Sequence, residues 1–359
     1  MFKKIAIILG TRPEIIKFSP IIRLLEKRKA NYFILHTGQH YSYEMDKVFF
    51  EELELPQPKH NISVGSGVYG KQLGAMIRGI QQKLEEESPD LSLVLGDTNT
   101  VLAGALASYR LGIKIGHVES GLRSYDIMIE EINRVLAGIH AEYLFAPTET
   151  SKQNLLREDI PENNIYVTGN TVVDALFQNL EIANRKSDIM RRLGVEKEKY
   201  FVVTSHRPES VDDRRTLEGI LNGLELVKKE FGLPIVFSMH PRTKKNIEKM
   251  NLKVPDGVAA IEPVGYLEFL QLMANAKLVL TDSGGIQEES CALKVPCVTL
   301  RENTERPETL EVGSNVLAGY DPEKIVESVR IMLKKERNWP NPFGDGKAAE
   351  KILRVLLGD

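Results

Sequence analysis

The stretches IAIILGTRPEI (residues 5–15) and YFVVTSHRPES (residues 200–210) are two versions of one phrase: an apolar run, a turn, a basic residue, then Pro-Glu. A short apolar run rich in Ile and Val reads as a strand, and proline is favoured at the first position of a helix because its missing N–H would be unpaired there anyway. Each copy is therefore expected to be a strand that turns directly into a helix. Arg-Pro-Glu occurs a third time in NTERPETL (303–310). Arg12, His206 with Arg207, and Arg306 are thus placed at the electropositive ends of helices.

Outward from these two openings, short β-rich runs alternate with helical patterns. The first half has Ile5–Leu9, Phe33–His36, Ser92–Leu95, Ile113–Val118 and Tyr143–Ala146; the second has Tyr200–Thr204, Ile235–Met239, Val258–Ile261, Leu278–Leu280 and Cys297–Leu300. Such alternation predicts an α/β protein of parallel sheets with helices on both faces. With 359 residues there is length for two domains. The boundary is expected between Gly169 and Lys199, where a helix runs into NRKSDIMRRLGVEKEKY. This gives a first domain over residues 1–170, completed by an amphipathic closing helix within 346–359, and a second over 171–345. Ligands of open α/β sheets lie off the carboxyl ends of the strands, so two such sheets facing each other would enclose a cleft.

Apolar residues make up 42% and charged ones 27%, a globular balance, and the net charge of −3 argues against a nucleic-acid partner. Only Cys291 and Cys297 occur, too few for a disulfide framework or a metal knot. The opening apolar run is broken by Arg12 and Glu14 before it could serve as a signal peptide, and no run has the roughly 18 apolar residues of a membrane span. A reducing cytoplasm is the expected setting.

TDSGGIQEES (281–290) follows the apolar run ending at Leu280. Two glycines allow a ligand to approach the backbone, and a helix start offers unpaired N–H groups, so Ser283, Gly284 and Gly285 predict an anion site. Glu288 and Glu289, about a turn further on, suit the hydroxyls of a sugar attached to that anion. GSGVYG (65–70) spells a dinucleotide pattern, but the opening strand leads elsewhere and the acids twenty residues on lie in the solvated run EEES. It reads as a flexible glycine loop, and no Walker-type phosphate loop is present.

Three acids of the first half are placed for chemistry. Asp97 follows a strand in LGDTNT, Glu119 follows another in HVESGLRS, and Glu130 stands in EEINR with Arg134 one turn on. Asp97 could equally cap the next helix, and Glu130 with Arg134 could be an ordinary i, i+4 pair. Cations around a diphosphate stabilise it as a leaving group, while carboxylates, with Lys17 beside them, can move protons on the sugar it leaves. Departure of a diphosphate builds positive charge at C1 and acidifies the hydrogen on C2.

With these residues in hand, the chain strongly resembles the non-hydrolysing UDP-N-acetylglucosamine 2-epimerases. The likeness runs through GTRPEIIKFSP, TGQH, LGDTNT, HVESGLRS, EEINR, PTETS, VTGNTVVDAL, TSHRPES, TDSGGIQEE and TERPETLEVGSN, in order over nearly the whole chain. The resemblance implies two Rossmann-like domains of the GT-B type and a homodimer, working without metal or nicotinamide. It implies interconversion of UDP-GlcNAc and UDP-ManNAc by elimination of UDP to a 2-acetamidoglucal and its re-addition. Asp97, Glu119 and Glu130 become the proton-handling and sugar-contacting acids, with Lys17 and Arg134 on the sugar side. His206 assists departure of UDP. Arg12, Ser283, Gly284, Gly285 and Arg306 surround the phosphates and Glu289 meets the ribose. Phe269 either faces the uracil or is a helix core position.

Two departures from the family pattern bear on regulation and specificity. TGQHYSYEMD replaces the TGQHR of members activated by a second UDP-GlcNAc, although Gln39, His40, Gln72, Arg207 and His240 could still form that site. SMHPRTKK is reminiscent of relatives acting on UDP-2,3-diacetamido uronic acids, where Arg242 would meet a carboxylate. That substrate is one alternative; a glycosyltransferase of the same fold is another.

Overall fold

The computed structural model describes residues 2–39, 43–65, 67–123 and 128–358, the side chains of residues 43–46 excepted. It comprises two compact units: the first ends at Gln178 and resumes at Phe343, and the second is Asn179–Pro342. The chain passes between them inside one helix, Thr171–Lys186.

The first unit carries seven strands: β1 (Ile5–Leu9), β2 (Tyr32–His36), β3 (His60–Asn61), β4 (Leu91–Leu95), β5 (Lys114–Val118), β6 (Tyr143–Ala146) and β7 (Ile165–Val167). They form one sheet in the order β3-β2-β1-β4-β5-β6-β7, and every pairing is parallel. The second unit repeats the plan with β8 (Phe201–Thr204), β9 (Ile235–Ser238), β10 (Val258–Ile261), β11 (Leu278–Thr281), β12 (Cys297–Thr299) and β13 (Asn315–Leu317), ordered β10-β9-β8-β11-β12-β13 and again all parallel. The α/β class expected from the alternation is the class observed. Three strands escaped the sequence reading, β3, β7 and β13, of two or three residues each. Runs that short leave no period to detect.

Central strands of a parallel sheet are covered on both faces and so read as continuous apolar runs. All five residues of β1 and all of β4 are buried. Helix Arg12–Lys27 lays Ile15, Phe18, Ile22 and Leu25 against the sheet, a spacing of three and four that keeps them on one face. It tolerates Pro20: the carbonyl of Ile16, deprived of an N–H at that position, accepts the Ser19 hydroxyl at 2.8 Å instead.

The closing helix, Ala348–Leu357, returns to the first unit and packs against helix Arg12–Lys27. Its first amides, at Ala348 and Ala349, donate to Asp174 at 3.2 and 2.9 Å. Burial pushes the Asp174 carboxyl up to about 6 despite these bonds. Among the described residues no helix is long and apolar enough to cross a membrane.

Candidate active site

In both sheets the strand order reverses between the first strand of the unit and its neighbour, β1 beside β4 and β8 beside β11. Loops leaving such a switch point diverge to opposite faces and open a crevice at the carboxyl edge. All four loops leaving these strands carry predicted residues within three positions of the strand end: Arg12 after β1, Asp97 after β4, His206 after β8 and Ser283 after β11.

In the second unit, Thr204 and Thr281 are register partners, so the loops after β8 and β11 start side by side. A carboxylate joins them. Asp282, wholly buried, accepts the backbone N–H of His206 at 2.8 Å, that of Arg207 at 2.9 Å and the Ser205 hydroxyl at 3.0 Å. Its other oxygen lies 3.2 Å from Nδ1 of the His206 ring, which is 39% exposed. Burial would raise the Asp282 carboxyl, but the bond and charge of His206 and the two backbone amides outweigh it and hold the group down at about 2. The acid is therefore ionised and purely an acceptor.

Helix Gly284–Ala292 begins at once, with Ser283 as N-cap in extended conformation but with no side-chain cap bond. A methyl group placed on Gly284 would stand 3.5 Å from Oε2 of Glu305, 3.9 Å from Nη2 of Arg207 and 4.0 Å from Cγ of Arg306. The helix start thus has Arg306, Arg207 and one carboxylate around it. Arg207 reaches Glu305 at 2.9 Å, and Arg301, only 4% exposed, grips the same carboxylate at 2.8 and 2.9 Å. Burial opposes ionisation of Glu305, yet the two arginines hold it down at about 2. Arg306 bonds Glu288 through Nε at 2.5 Å, so Glu288 orients this arginine. Glu289 is half-buried on the same helix. Phe269 lies on helix Tyr266–Ala274 outside its buried set of Leu267, Leu270, Leu272 and Met273, which favours a contact role over a core one.

His240 is the N-cap of helix Pro241–Lys249, accepting the amide of Arg242 through Nδ1 at 3.2 Å, with its ring 5.6 Å from that of His206. Burial and the nearby His206 and Arg242 lower its pKa. Arg242 itself is engaged by Asp212, Nε to Oδ1 at 2.8 Å.

In the first unit, the carboxylate spanning the switch point is Glu14 of the GTRPE phrase. Its Oε2 accepts the amides of Gly10 at 2.6 Å and Thr11 at 2.8 Å, and its Oε1 the hydroxyl of Thr98 at 2.5 Å. Desolvation outweighs these bonds and lifts the group to about 7. Arg12 opens the helix with its guanidinium 5.6 Å over the Phe49 ring. Gly96, at φ +84°, makes the turn after β4, and the buried ring of His117 donates to its carbonyl at 2.8 Å. Desolvation lowers His117 to about 4, so it stays neutral.

Asp97 stands just beyond and accepts Nη2 of Arg134 at 2.5 Å, while Nη1 goes to Glu131 at 2.6 Å. Arg134 pairs with Glu131, not with Glu130, the alternative the i, i+4 spacing had offered. Glu130 is exposed in the first turn of helix Ile129–Ile139. Glu119 is buried at φ +63°, a left-handed conformation unusual for a residue with a side chain. Both its oxygens receive Lys17 Nζ, at 2.7 and 2.6 Å, and Oε1 also receives the Asn170 amide at 3.1 Å. Strain held in place by a buried ion pair is a common mark of a working residue.

The structure therefore groups Lys17 with Glu119, Asp97 with Arg134, and His206, Arg207 and Arg306 around Ser283, Gly284 and Gly285. It does not link Glu130 to these groups. Gln39 and Gln72 are buried and bonded inward: Gln39 accepts from Thr100 at 3.1 and 2.9 Å, and Gln72 donates to the carbonyls of Gly65 and Gln39 at 2.7 and 3.1 Å. Arg207 belongs beside the helix start, and His40 lies outside the described residues. A side chain at Gly65, Gly67 or Gly70 would meet none of the described residues within 4 Å. Sequence reasoning missed Asp282, Glu305, Arg301 and Asn170. Only Asp282 carried a signal, as the acid at the strand exit of TDSGG.

The family model for UDP-N-acetylglucosamine 2-epimerase matches residues 23–357. A UDP-N-acetylglucosamine 2-epimerase of Methanocaldococcus jannaschii is 56% identical over 360 residues, covering 98% of both chains. The solved structure of UDP-GlcNAc 2-epimerase from that organism superposes with a TM-score of 0.92 at 54% identity, covering 99% of this chain and 100% of the other. A second structure from it, in complex with UDP-GlcNAc and UDP, has a TM-score of 0.86 at 55% identity over 99% and 100% of the two chains.

Proposed function

The chain belongs to the UDP-N-acetylglucosamine 2-epimerase family, and from that premise we propose that it interconverts UDP-N-acetylglucosamine and UDP-N-acetylmannosamine. The observation that carries the reading is the division of labour among charged groups. The second unit gathers Arg207 and Arg306 about an uncapped helix start, with Arg301 holding the Glu305 carboxylate beside it, the setting a diphosphate requires. The first unit sets Glu119 and Asp97 at strand exits, each beside a cation.

In the forward step the C1–O bond breaks and its electron pair goes to the β-phosphate oxygen of UDP. The proton on C2 leaves to a carboxylate, giving the 2-acetamidoglucal. Re-addition of UDP with protonation on the opposite face of C2 gives the epimer. Since one group rarely serves both faces, two acids are needed, and Asp97, Glu119 and Glu130 are the candidates. Lys17 pairs with Glu119 and Arg134 with Asp97, which orients two of them. Arg12, Ser283, Gly284, Gly285 and Arg306 hold the phosphates, Glu289 the ribose and Phe269 the uracil; His206 assists the leaving group.

Incubation with UDP-GlcNAc in heavy water is expected to place deuterium at C2 and to release UDP-ManNAc with no added cofactor. Absence of exchange would refute the epimerase reading.

We also propose a homodimer. Helix Ile129–Ile139 exposes Ile129, Ile132, Leu136 and Ile139, at 48, 53, 38 and 56%, along one face. A second copy covering this stripe would remove it from water. Ile132→Glu should then give a lighter species in sedimentation; an unchanged mass would exclude this face. Two buried, unbridged cysteines suit the cytoplasm as its location.

A further inference from the structure

We propose that Asp282 is a positioning residue for the reaction, fixing the hydrogen of the His206 imidazole on Nδ1 so that Nε2 is the nitrogen presented to the departing diphosphate. The inference rests on the role given to His206 above. It adds the residue through which that role is exercised.

Asp282 is fully buried and ionised, and a carboxylate in that state has no hydrogen to give. Any hydrogen between it and Nδ1 of His206, 3.2 Å away, must therefore sit on the ring. The same carboxylate binds the two backbone amides of His206 and Arg207 and the Ser205 hydroxyl, so the loop cannot move without breaking three further bonds. Asp282 is also the covalent neighbour of Ser283, the N-cap of the helix start. One side chain thus fixes the tautomer of the histidine, the height of its loop and its distance from the anion site.

The adjacent histidine shows the opposite arrangement. Nδ1 of His240 accepts from the Arg242 amide, so its hydrogen is on Nε2. Of two rings 5.6 Å apart, one has a carboxylate oxygen 3.2 Å from its Nδ1 and the other accepts a backbone amide there. The charged groups facing the pair are Asp282, Arg207 with its partners Glu209 and Glu305, and Arg242 with its partner Asp212. Among the described residues, the one anion paired with the His206 ring is Asp282, 3.2 Å from Nδ1. With one hydrogen held on Nδ1, donation from Nε2 requires a second on that nitrogen: as C1–O breaks, the doubly protonated ring gives its Nε2–H to the β-phosphate oxygen that receives the electron pair, and is left as the neutral Nδ1–H tautomer. The imidazolium so engaged is balanced by Asp282 behind it.

The test combines Asp282→Asn, His206→Asn and the double variant with nitrogen-15 spectra of histidine-labelled protein. Asp282→Asn should lower kcat by at least about 100-fold, the usual worth of a general acid, with KM and UDP affinity changed by less than about 3-fold. Because Asp282 acts through His206, the double variant should be no more than about 3-fold slower than His206→Asn alone. In the unsubstituted protein, His206 should show its hydrogen on Nδ1. A bare Nδ1 there overturns the proposal even if Asp282→Asn does not fold. Multiplied losses in the double variant, or full kcat in Asp282→Asn with His206→Asn inactive, overturn it too. Full kcat in His206→Asn would instead overturn the role of His206 itself.

Discussion

The two switch points solve the same problem with carboxylates in opposite states. In each unit an acid side chain ties the loop after the first strand to the loop after its neighbour and accepts two consecutive backbone amides, Gly10 and Thr11 for Glu14, His206 and Arg207 for Asp282. Glu14 comes from the first turn of the helix that follows the first strand, bonds amides and a hydroxyl rather than a cation among the described residues, and is lifted to about 7 by burial. Asp282 comes from the second loop, meets a histidine and is held at about 2. Glu14 has both oxygens engaged by the groups it ties together, which makes it a staple. An ionised acid beside an exposed ring can take part in chemistry, so the echo between GTRPE and SHRPE is one of backbone and not of function: Glu209, the counterpart of Glu14, is exposed and meets Arg207 and Arg301 instead.

The contrast extends to the rest of each unit and can be broken by substitution. The largest effect is expected for Glu119→Gln, which should slow C2 exchange by about 1,000-fold, within the range for a lost acid or base, while UDP affinity holds. If calorimetry showed UDP binding lost, the first unit would not be the proton-handling one. Arg306→Ala is the converse: UDP affinity should fall about 10- to 100-fold, as for a charge-assisted contact removed from a phosphate. A fall in kcat alone would contradict the division.

The staples themselves differ in the sign of their pH response. Glu14 has a raised folded pKa, so its contribution to stability is complete below its unfolded value of about 4.5 and is lost as pH rises through about 7. Denaturant midpoints of the native protein should decline over that window, and Glu14→Gln should flatten the decline. Asp282 has a depressed folded pKa, so its contribution is present above about 3.8 and is lost as pH falls through about 2. Asp282→Asn should leave stability indifferent to pH across that acid range by comparison. The smallest effect is expected for Asp174→Asn. An amide oxygen can still cap the closing helix, so the midpoint near neutral pH should move by only about 1 kcal/mol in free energy.

Sequence alone showed the α/β class, because parallel strands buried on both faces must be written as apolar runs. It also showed the acids and glycines at strand exits, because turns and helix starts accept few residue types. It could not show Glu131 in place of Glu130, since both stand in the first helical turn and only the direction of the helix decides which meets Arg134. Nor could it show Glu305 between Arg207 and Arg301, contacts separated by 98 residues in one case and held by packing rather than by local pattern. Phe269 needed its burial, not its spacing.

The first unit is interrupted by the second. Its final helix, whose opening amides belong to Asp174, is synthesised only after the second unit. Residues 179–342 must be translated in between, which at ~5–20 residues per second is a wait of roughly 10 to 30 s. During that interval the nascent first unit carries an unfilled apolar seam along helix Arg12–Lys27, a natural place for a chaperone to hold. A chain ended at Pro342 should bind a hydrophobic dye that the whole protein ignores, and should be rescued by the missing peptide supplied in trans.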